Sequence, residues 1–457
     1  MKGGSKGVKH GFFRDFRLSP SKLIALSFLG LILLGAFLLS LPISSRNSAP
    51  GFLSALFTAA SATCVTGLTP FDTWTQWSSF GQAVILLLIQ IGGLGFMSFA
   101  SILFYLIRQQ PSLMSQMVMA QSLGSENTHG ILSLQLWLIR CCFLVEGSGA
   151  ILLTLRFCRD YEFAFALKLG VFHSVSAFCN AGFDLFGFLT PGESLAPYAQ
   201  DPWVLGTLSI LVILGGLGFV VWDEVAGYRK RRKLSVYSRL VLLSTAGLLL
   251  GGAALIAACE WYNPATIGSL SIPQKLLACF FQSVTLRTAG FAAMSQAHLT
   301  GPGKAVSMFL MLIGGSSGST AGGLKTVTLI VIFLFLGSRL RGKKHVAVFH
   351  RTIPFQSVLD ALTILGVMVG LVFAGSFLVV FTSPVSYPEA LYETVSAIAT
   401  VGLSCNATSR LSPFSKLLII VYMYFGRIGV LTISMGFLKG EKPDPAVRFA
   451  DASLLIG

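Results

Sequence analysis

Four short stretches of this 457-residue chain share a residue spacing suited to one task, replacing the water shell of a cation. They read FTAASATCVTGL (57–68), FHSVSAFCNAGF (172–183), FFQSVTLRTAGF (280–291) and YETVSAIATVGL (392–403). Aligned on Gly67, Gly182, Gly290 and Gly402, each carries an aromatic ten residues earlier (Phe57, Phe172, Phe280, Tyr392) and Leu or Phe directly after. A desolvated monovalent cation needs several oxygen dipoles at bonding distance, and glycine lets a strand turn successive carbonyls toward one axis. The expected ion-binding oxygens belong to Val65, Thr66 and Gly67; Asn180, Ala181 and Gly182; Thr288, Ala289 and Gly290; and Thr400, Val401 and Gly402. Only the last copy reads Thr-Val-Gly, so four unlike strands would share the task.

Elements able to hold such strands are legible around them. The chain is 54% hydrophobic and 11% charged, far below the roughly 25% charged of soluble domains. Each segment lies between two long apolar spans, near 23–42, 131–157, 236–259 and 357–381 before it and 80–107, 203–227, 303–336 and 414–438 after it. Spans of about 20 residues cross a bilayer. The intervening segments are too short to cross, and fit re-entrant half-helices lining a water-filled path. The expected fold is an all-α integral membrane protein of four parallel helix–pore-helix–helix repeats. It has eight transmembrane helices and four re-entrant ones, with pseudo-fourfold symmetry about one pore. The expected units are an N-terminal segment (1–22), repeats at 23–107, 131–227, 236–336 and 357–438, and a tail (439–457).

The net charge of +15 gathers at the N-terminus up to Lys22, at Arg108, at Arg229–Arg239, at Arg339–Arg351 and from Lys439 onward. The excess of basic residues between paired spans puts these regions and both termini on the cytoplasmic side of a bacterial inner membrane. Anionic lipid, rather than nucleic acid, is the expected partner of the run YRKRRK (228–233). The basic start followed by the apolar stretch 23–41 reads as a retained first span rather than a cleaved signal.

The second spans carry matched glycines at Gly92 and Gly95, Gly215 and Gly218, and Gly426 and Gly429, which small-residue packing between helices explains. The third repeat instead reads IGGSSGSTAGGLKT (313–326), with five glycines, three serines and two threonines. Such a sequence unwinds a helix, and Gly314, Gly315, Ser316, Ser317, Gly318, Ser319, Thr320, Ala321, Gly322, Gly323 and Lys325 are the expected gating loop. Arg427 stands where the first two copies have Gly93 and Gly216, the second glycine of an adjacent Gly-Gly, so it should lie below the filter and oppose cations. Intramembrane charges are functional candidates by default. Glu146 is expected to pair with Arg140, and Arg287 with Glu393.

Other chemistries fit less well. GSTAGGLKT (318–326) misses the phosphate-binding loop pattern because Leu324 separates Gly323 from Lys325. GSSG (315–318) offers Ser317 as the nucleophile of a rhomboid-like intramembrane protease, the rival reading, but it needs a histidine base such as His173 within reach. A sodium-selective or non-selective cation path is the nearer alternative. The eight cysteines contain no Cys-x-x-Cys and imply no bound metal; no covalent cofactor and no enzymatic activity are expected.

With the four glycine segments, the loop and the arginine in place, the chain resembles the membrane subunits (KtrB) of Ktr-type potassium uptake systems, in the Trk/Ktr/HKT superfamily. That resemblance implies potassium as the transported ion at the filter carbonyls and sodium as activator or co-ion. It also implies a homodimer with one pore per protomer and a cytoplasmic KtrA-type regulatory ring binding ATP and ADP. Glycine rather than serine at position 67 implies potassium over sodium. Only about 22 residues precede the first span, which favours the Ktr branch over relatives with extra N-terminal helices.

Overall fold

The computed structural model of the chain describes residues 20–48, 50–95, 98, 101, 113–123, 130–343 and 345–429. The N-terminal segment up to residue 19, Arg108 and everything from residue 430, including the tail 439–457, lie outside the described residues.

The first spans are continuous helices, Pro20–Ser40, Ile131–Phe157, Val236–Glu260 and Phe355–Thr382, of 21, 27, 25 and 28 residues. At 1.5 Å per residue even the shortest reaches about 31 Å, enough for the hydrocarbon core of a bilayer. Their outward faces stay apolar, with Leu33, Leu144, Leu250 and Phe381 exposed. Such faces suit lipid, where only the helix's own bonds can satisfy its backbone.

The intervening helices are short: Phe52–Thr63, Phe163–Phe178, Ile272–Thr285 and Tyr387–Ile398. Capping boxes start two of them, Ser271 with Gln274 and Ser386 with Glu389. All four end at the strands that carry the aligned glycines.

The second spans differ from expectation. Unwinding was expected in the third repeat alone, yet all four are interrupted at the matching place. Ser79–Leu94, Pro202–Leu217 and Pro413–Ile428 stop at Gly95, Gly218 and Gly429, with φ of 84°, 87° and 92° and ψ of 142°, 146° and 131°. That combination is essentially closed to residues with a Cβ. In the second repeat the chain resumes as Phe219–Ala226 after a bend of 97°. In the third, Gly301–Leu312 gives way to the loop before Thr326–Leu340 begins. The paired glycines divide the work. A methyl group at Gly92, Gly215 or Gly426 would collide with the carbonyl of Thr63, Phe178 or Ile398, the last residue of the neighbouring short helix. The first glycine of each pair thus admits a close approach, and the second breaks the helix.

Two apolar cores hold the repeats together. One joins repeats 1 and 2 with part of repeat 3 around Trp77, Phe157, Phe178 and Phe186. The other joins repeats 3 and 4 with part of repeat 1 around Phe57, Met311, Tyr392 and Met423. Between repeats 3 and 4 the basic segment forms a small hairpin, Ala347–Val348 against Arg351–Thr352. It turns through Phe349 and His350, both with positive φ, as a tight two-residue hairpin demands.

Candidate functional site

The four glycine-bearing strands share a backbone signature. The residue two before each glycine is left-handed: Val65 at φ 56°, Asn180 at 58°, Thr288 at 62° and Thr400 at 52°. The glycines follow at 94°, 68°, 83° and 95°. Positive φ in valine or threonine is strained and persists only where its surroundings enforce it. Here the surroundings grip the amides. Thr66, Ala181 and Val401 N–H donate to the carbonyls of Ser61, Ser176 and Ser396 at 2.7–2.8 Å, and Ala289 N–H donates to Thr285 at 3.0 Å. Gly67 and Gly402 N–H donate to the hydroxyls of Ser61 and Ser396, both at 3.0 Å. The Ser176 and Thr285 hydroxyls donate to the carbonyls of Phe183 and Phe291, both at 2.7 Å.

With the N–H groups turned back toward the short helices, the carbonyls are free. Among the described residues, none of the carbonyl oxygens of residues 65–67, 180–182, 288–290 and 400–402 accepts a protein hydrogen bond. The buried hydroxyls of Thr66, Thr288 and Thr400 also lack a partner. Buried oxygens left this way are costly unless something positive meets them. The short helices also end here, which adds the negative ends of their dipoles.

The strands close on one another in order. A methyl group at Gly67 would lie 2.6 Å from the Ala181 carbonyl oxygen, one at Gly182 2.7 Å from Ala289, and one at Gly290 2.5 Å from Val401. A methyl at Gly402 would meet the Thr66 carbonyl, which returns the circuit to the first strand. Each repeat therefore packs its glycine against the carbonyl of the next, and the ring is complete within one chain.

Outside the ring lies a cavity of about 330 Å³ lined by all four glycines together with Thr69, Asp72, Asp184, Ser404 and Asn406. Asp72 caps a short turn, accepting from Trp74 and Thr75 N–H at 3.0 and 2.9 Å. Burial, and then the neighbouring Asp72 carboxylate, push the Asp184 carboxyl up to about 6. These two aspartates give the outer mouth a negative face. Sequence reasoning passed over them because their place in the cavity follows from the packing of two different repeats.

Inside the ring, the loop fills the space below. Its base is zipped: Gly314 N–H donates to Leu324 O at 2.9 Å, Leu324 N–H to Leu312 O at 3.2 Å, and Thr326 N–H to Gly315 O at 3.0 Å. Its tip finishes the broken helix of repeat 2. Ser316 and Thr320 N–H donate to Gly216 and Gly215 O at 3.1 and 3.2 Å, and the Ser316 hydroxyl donates to Leu217 O. Those carbonyls lack intrahelical partners at a helix C-terminus. Tyr237, absent from the sequence reading, donates through its hydroxyl to Ser317 O at 3.1 Å. Gly322 runs so close beneath Thr400 that a methyl group there would strike the threonine hydroxyl.

Arg427 lies below the ring, as its alignment implied. It donates to Thr320 O in the loop and to Gly92 and Gly93 O, at 2.5 and 3.0 Å, at the helix end of repeat 1. Lys325 donates to Ala321 O at 2.8 Å. Both, with Ser317, Ser319 and Gly95, line a second cavity of about 300 Å³ under the loop.

Two pairings expected from sequence are corrected. Arg287 does not meet Glu393; it donates to Gly314 O at 3.3 Å and to the Thr326 hydroxyl at 3.1 Å. Glu393 accepts instead from the hydroxyls of Thr408 and, at 2.7 Å, Ser404. Glu146 does not pair with Arg140 but accepts from the Gln90 amide, at 3.0 Å to each oxygen. Arg287 and Glu393 find their partners within their own repeats, whereas Glu146 is met by a side chain of repeat 1. The protease reading fails on geometry as well: His173 is fixed between Leu169 O at 2.8 Å and Leu185 N–H at 3.3 Å and stacks on Phe186, apart from Ser317.

A chain with this fold and pathway matches, over residues 22–445, the family described as TrkH, cation transport protein. It is 37% identical to the potassium/sodium uptake protein NtpJ of Enterococcus hirae, over 96% of this chain and 98% of that one. It is equally 37% identical to the Ktr system potassium uptake protein B of Bacillus subtilis, covering 96% and 97% of the two chains. The solved structure of the potassium transporter TrkH from Vibrio parahaemolyticus shares the fold at a TM-score of 0.71 and 16% identity, over 93% of this chain and 86% of that one. The chain belongs to the TrkH family of membrane cation transport proteins, and within it resembles the Ktr system B proteins at full length. It is a transporter, not an enzyme.

Proposed function

We propose that this chain carries potassium into the cell through the four-strand ring, with residues 65–67, 180–182, 288–290 and 400–402 as its selectivity filter. The observation that carries this reading is the closed circuit of glycine against carbonyl, with every strand carbonyl free of protein donors. A dehydrated monovalent cation is the ligand such an oxygen set suits. The loop 314–326, with Arg427 and Lys325 beside it, is the gate: it underlies the ring and puts positive charge on the path. We place the protein in the bacterial inner membrane with both termini cytoplasmic. It works as a homodimer on a KtrA-type nucleotide-binding ring, with the basic loops 229–239 and 339–351 facing that ring and anionic lipid. Sodium acts as activator or co-ion; the Enterococcus relative is named a potassium/sodium uptake protein.

Radioactive rubidium uptake into liposomes holding the purified protein tests the proposal. Block by unlabelled potassium but not sodium, weakened in Gly402→Ser, is the expected result. Equal block by both ions would make the path non-selective, and stronger block by sodium would make it a sodium path.

A further inference from the structure

Arg287 is the third residue before Gly290, separated from the short helix of repeat 3 by Leu286 alone and directly before the strained Thr288. Its side chain is buried, with 8% of the residue exposed. Among the described residues no carboxylate lies within ion-pair reach of it. Its Nε has no partner, and its hydrogen bonds go to two neutral oxygens. A buried guanidinium satisfied so thinly is expensive, and in a membrane such a charge is kept where it serves the transport path.

The two oxygens explain its place. Gly314 and Thr326 are the first and last residues of the loop, 12 residues apart in sequence, and the Thr326 hydroxyl itself donates to Gly314 O at 2.9 Å. Arg287, Thr326 and Gly314 thus form a closed triangle across the loop's base. One corner of that triangle is covalently part of the third filter strand. The tip, by contrast, is held mainly by repeats 2 and 4, through Gly215, Gly216, Leu217 and Arg427, with one further bond from Tyr237 of repeat 3 to Ser317 O.

We propose that Arg287 is a positioning residue that clamps the base of the loop to the third filter strand, so that filter geometry and loop position are set together. The proposal rests on the reading of this site as a gated cation filter. When the tip releases its contacts to repeats 2 and 4, the base stays on repeat 3, and the loop swings from there. Removing the clamp frees two things at once: the loop's ends, and the backbone at Thr288.

The test uses the full-length protein in liposomes, with rubidium uptake under potassium or sodium competition. The second readout is the rate at which a membrane-impermeant maleimide labels Ser317→Cys, over the background of the native cysteines. In Arg287→Met the preference for potassium over sodium should fall about tenfold and labelling should quicken by a similar factor, the size expected for losing charge-assisted hydrogen bonds. Arg287→Lys, a point charge without the guanidinium fork, should sit between. Thr326→Val, which removes one corner but leaves Arg287 in place, should quicken labelling more than it alters preference. A folded Arg287→Met in which both readouts stay at wild type, or only one moves, overturns the coupling. If Arg287→Met does not fold, Arg287→Lys and Thr326→Val decide by the same pair of readouts. Deleting Ser316–Gly322 separates this from the wider reading: unchanged flux there counts against the gate, while labelling of Ser317→Cys in the undeleted chain still reports on the clamp.

Discussion

Two helix ends beneath the ring, Leu94 in repeat 1 and Leu217 in repeat 2, reach the same depth and stop at equivalent glycines, yet different structures complete them. At the first, the Arg427 side chain donates to Gly92 and Gly93 O, and the Ser98 hydroxyl of the same repeat donates to Leu94 O at 2.7 Å. At the second, backbone and hydroxyl donors of the loop reach Gly215, Gly216 and Leu217 O. A cation at a helix C-terminus meets the negative end of the dipole and is held firmly. The loop supplies neutral donors from a stretch rich in glycine, whose ordering costs more backbone entropy than that of any other residue. Arg427 itself spans both arrangements, since it also donates to Thr320 O. The same structural need is met by side-chain fittings at one end and by a loop at the other, and on the proposed gating the loop is the removable one.

The largest test removes the removable fitting. Deleting Ser316–Gly322 should raise basal rubidium flux by about tenfold or more, because each ~1.4 kcal/mol taken from the closed state is a factor of ten and several hydrogen bonds go. Wild-type flux in a folded deletion would end the loop's claim to be a gate. Next, Arg427→Ala should raise flux several-fold and also lower thermal stability, since uncapped buried carbonyls cost about 1–3 kcal/mol. A lower stability with unchanged flux would assign Arg427 to repeat 1 alone. Smaller again, Ser316→Ala loses one loop bond to Leu217 and should raise flux about twofold. Combined with Arg427→Ala, its effect should be non-additive, because both hold the same loop; simple additivity would separate the two fittings.

The least effect is expected at the opposite mouth, where neither fitting reaches. The Asp184 carboxyl, pushed up to about 6 by burial and by Asp72, is neutral below that value and charged above it. Its contribution to folding is fully present below the ordinary carboxylate range and is lost as pH rises from there through about 6. For transport the sign is the reverse: acidifying the outside through about 6 removes one negative charge from the vestibule and should lower uptake about twofold. Asp184→Asn should flatten that pH profile. A wild-type profile that is already flat would remove Asp184 from the path.

How much of this was written in the sequence depends on distance along the chain. The four glycines, their aromatic partners and the long spans recur at fixed local spacing, and the fold follows from them. The loop was legible for the same reason, as a run no helix would choose. The serines at Ser61, Ser176 and Ser396, which grip the filter amides, stood in matched positions and carried a signal that went unread. The breaks at Gly95, Gly218 and Gly429 were visible as glycines, but packing and breaking both call for that residue, and only backbone angles tell them apart. The partners of Arg287 and Glu146 were not legible at all. The partner of Glu146 depends on which repeat stands beside which, and those of Arg287 on how the loop of its own repeat folds back beneath the strand.

The ring's closure within one chain has a consequence for how such a protein can change over generations. In an assembly of four identical subunits, any single codon change strikes all four walls at once. Here a codon change at Thr66, Ala181, Ala289 or Val401 alters one wall and leaves three as they were. Discrimination among ions can then drift by quarters, each step small enough to be survived. One quadrant carries a whole loop where the other three carry a single glycine break.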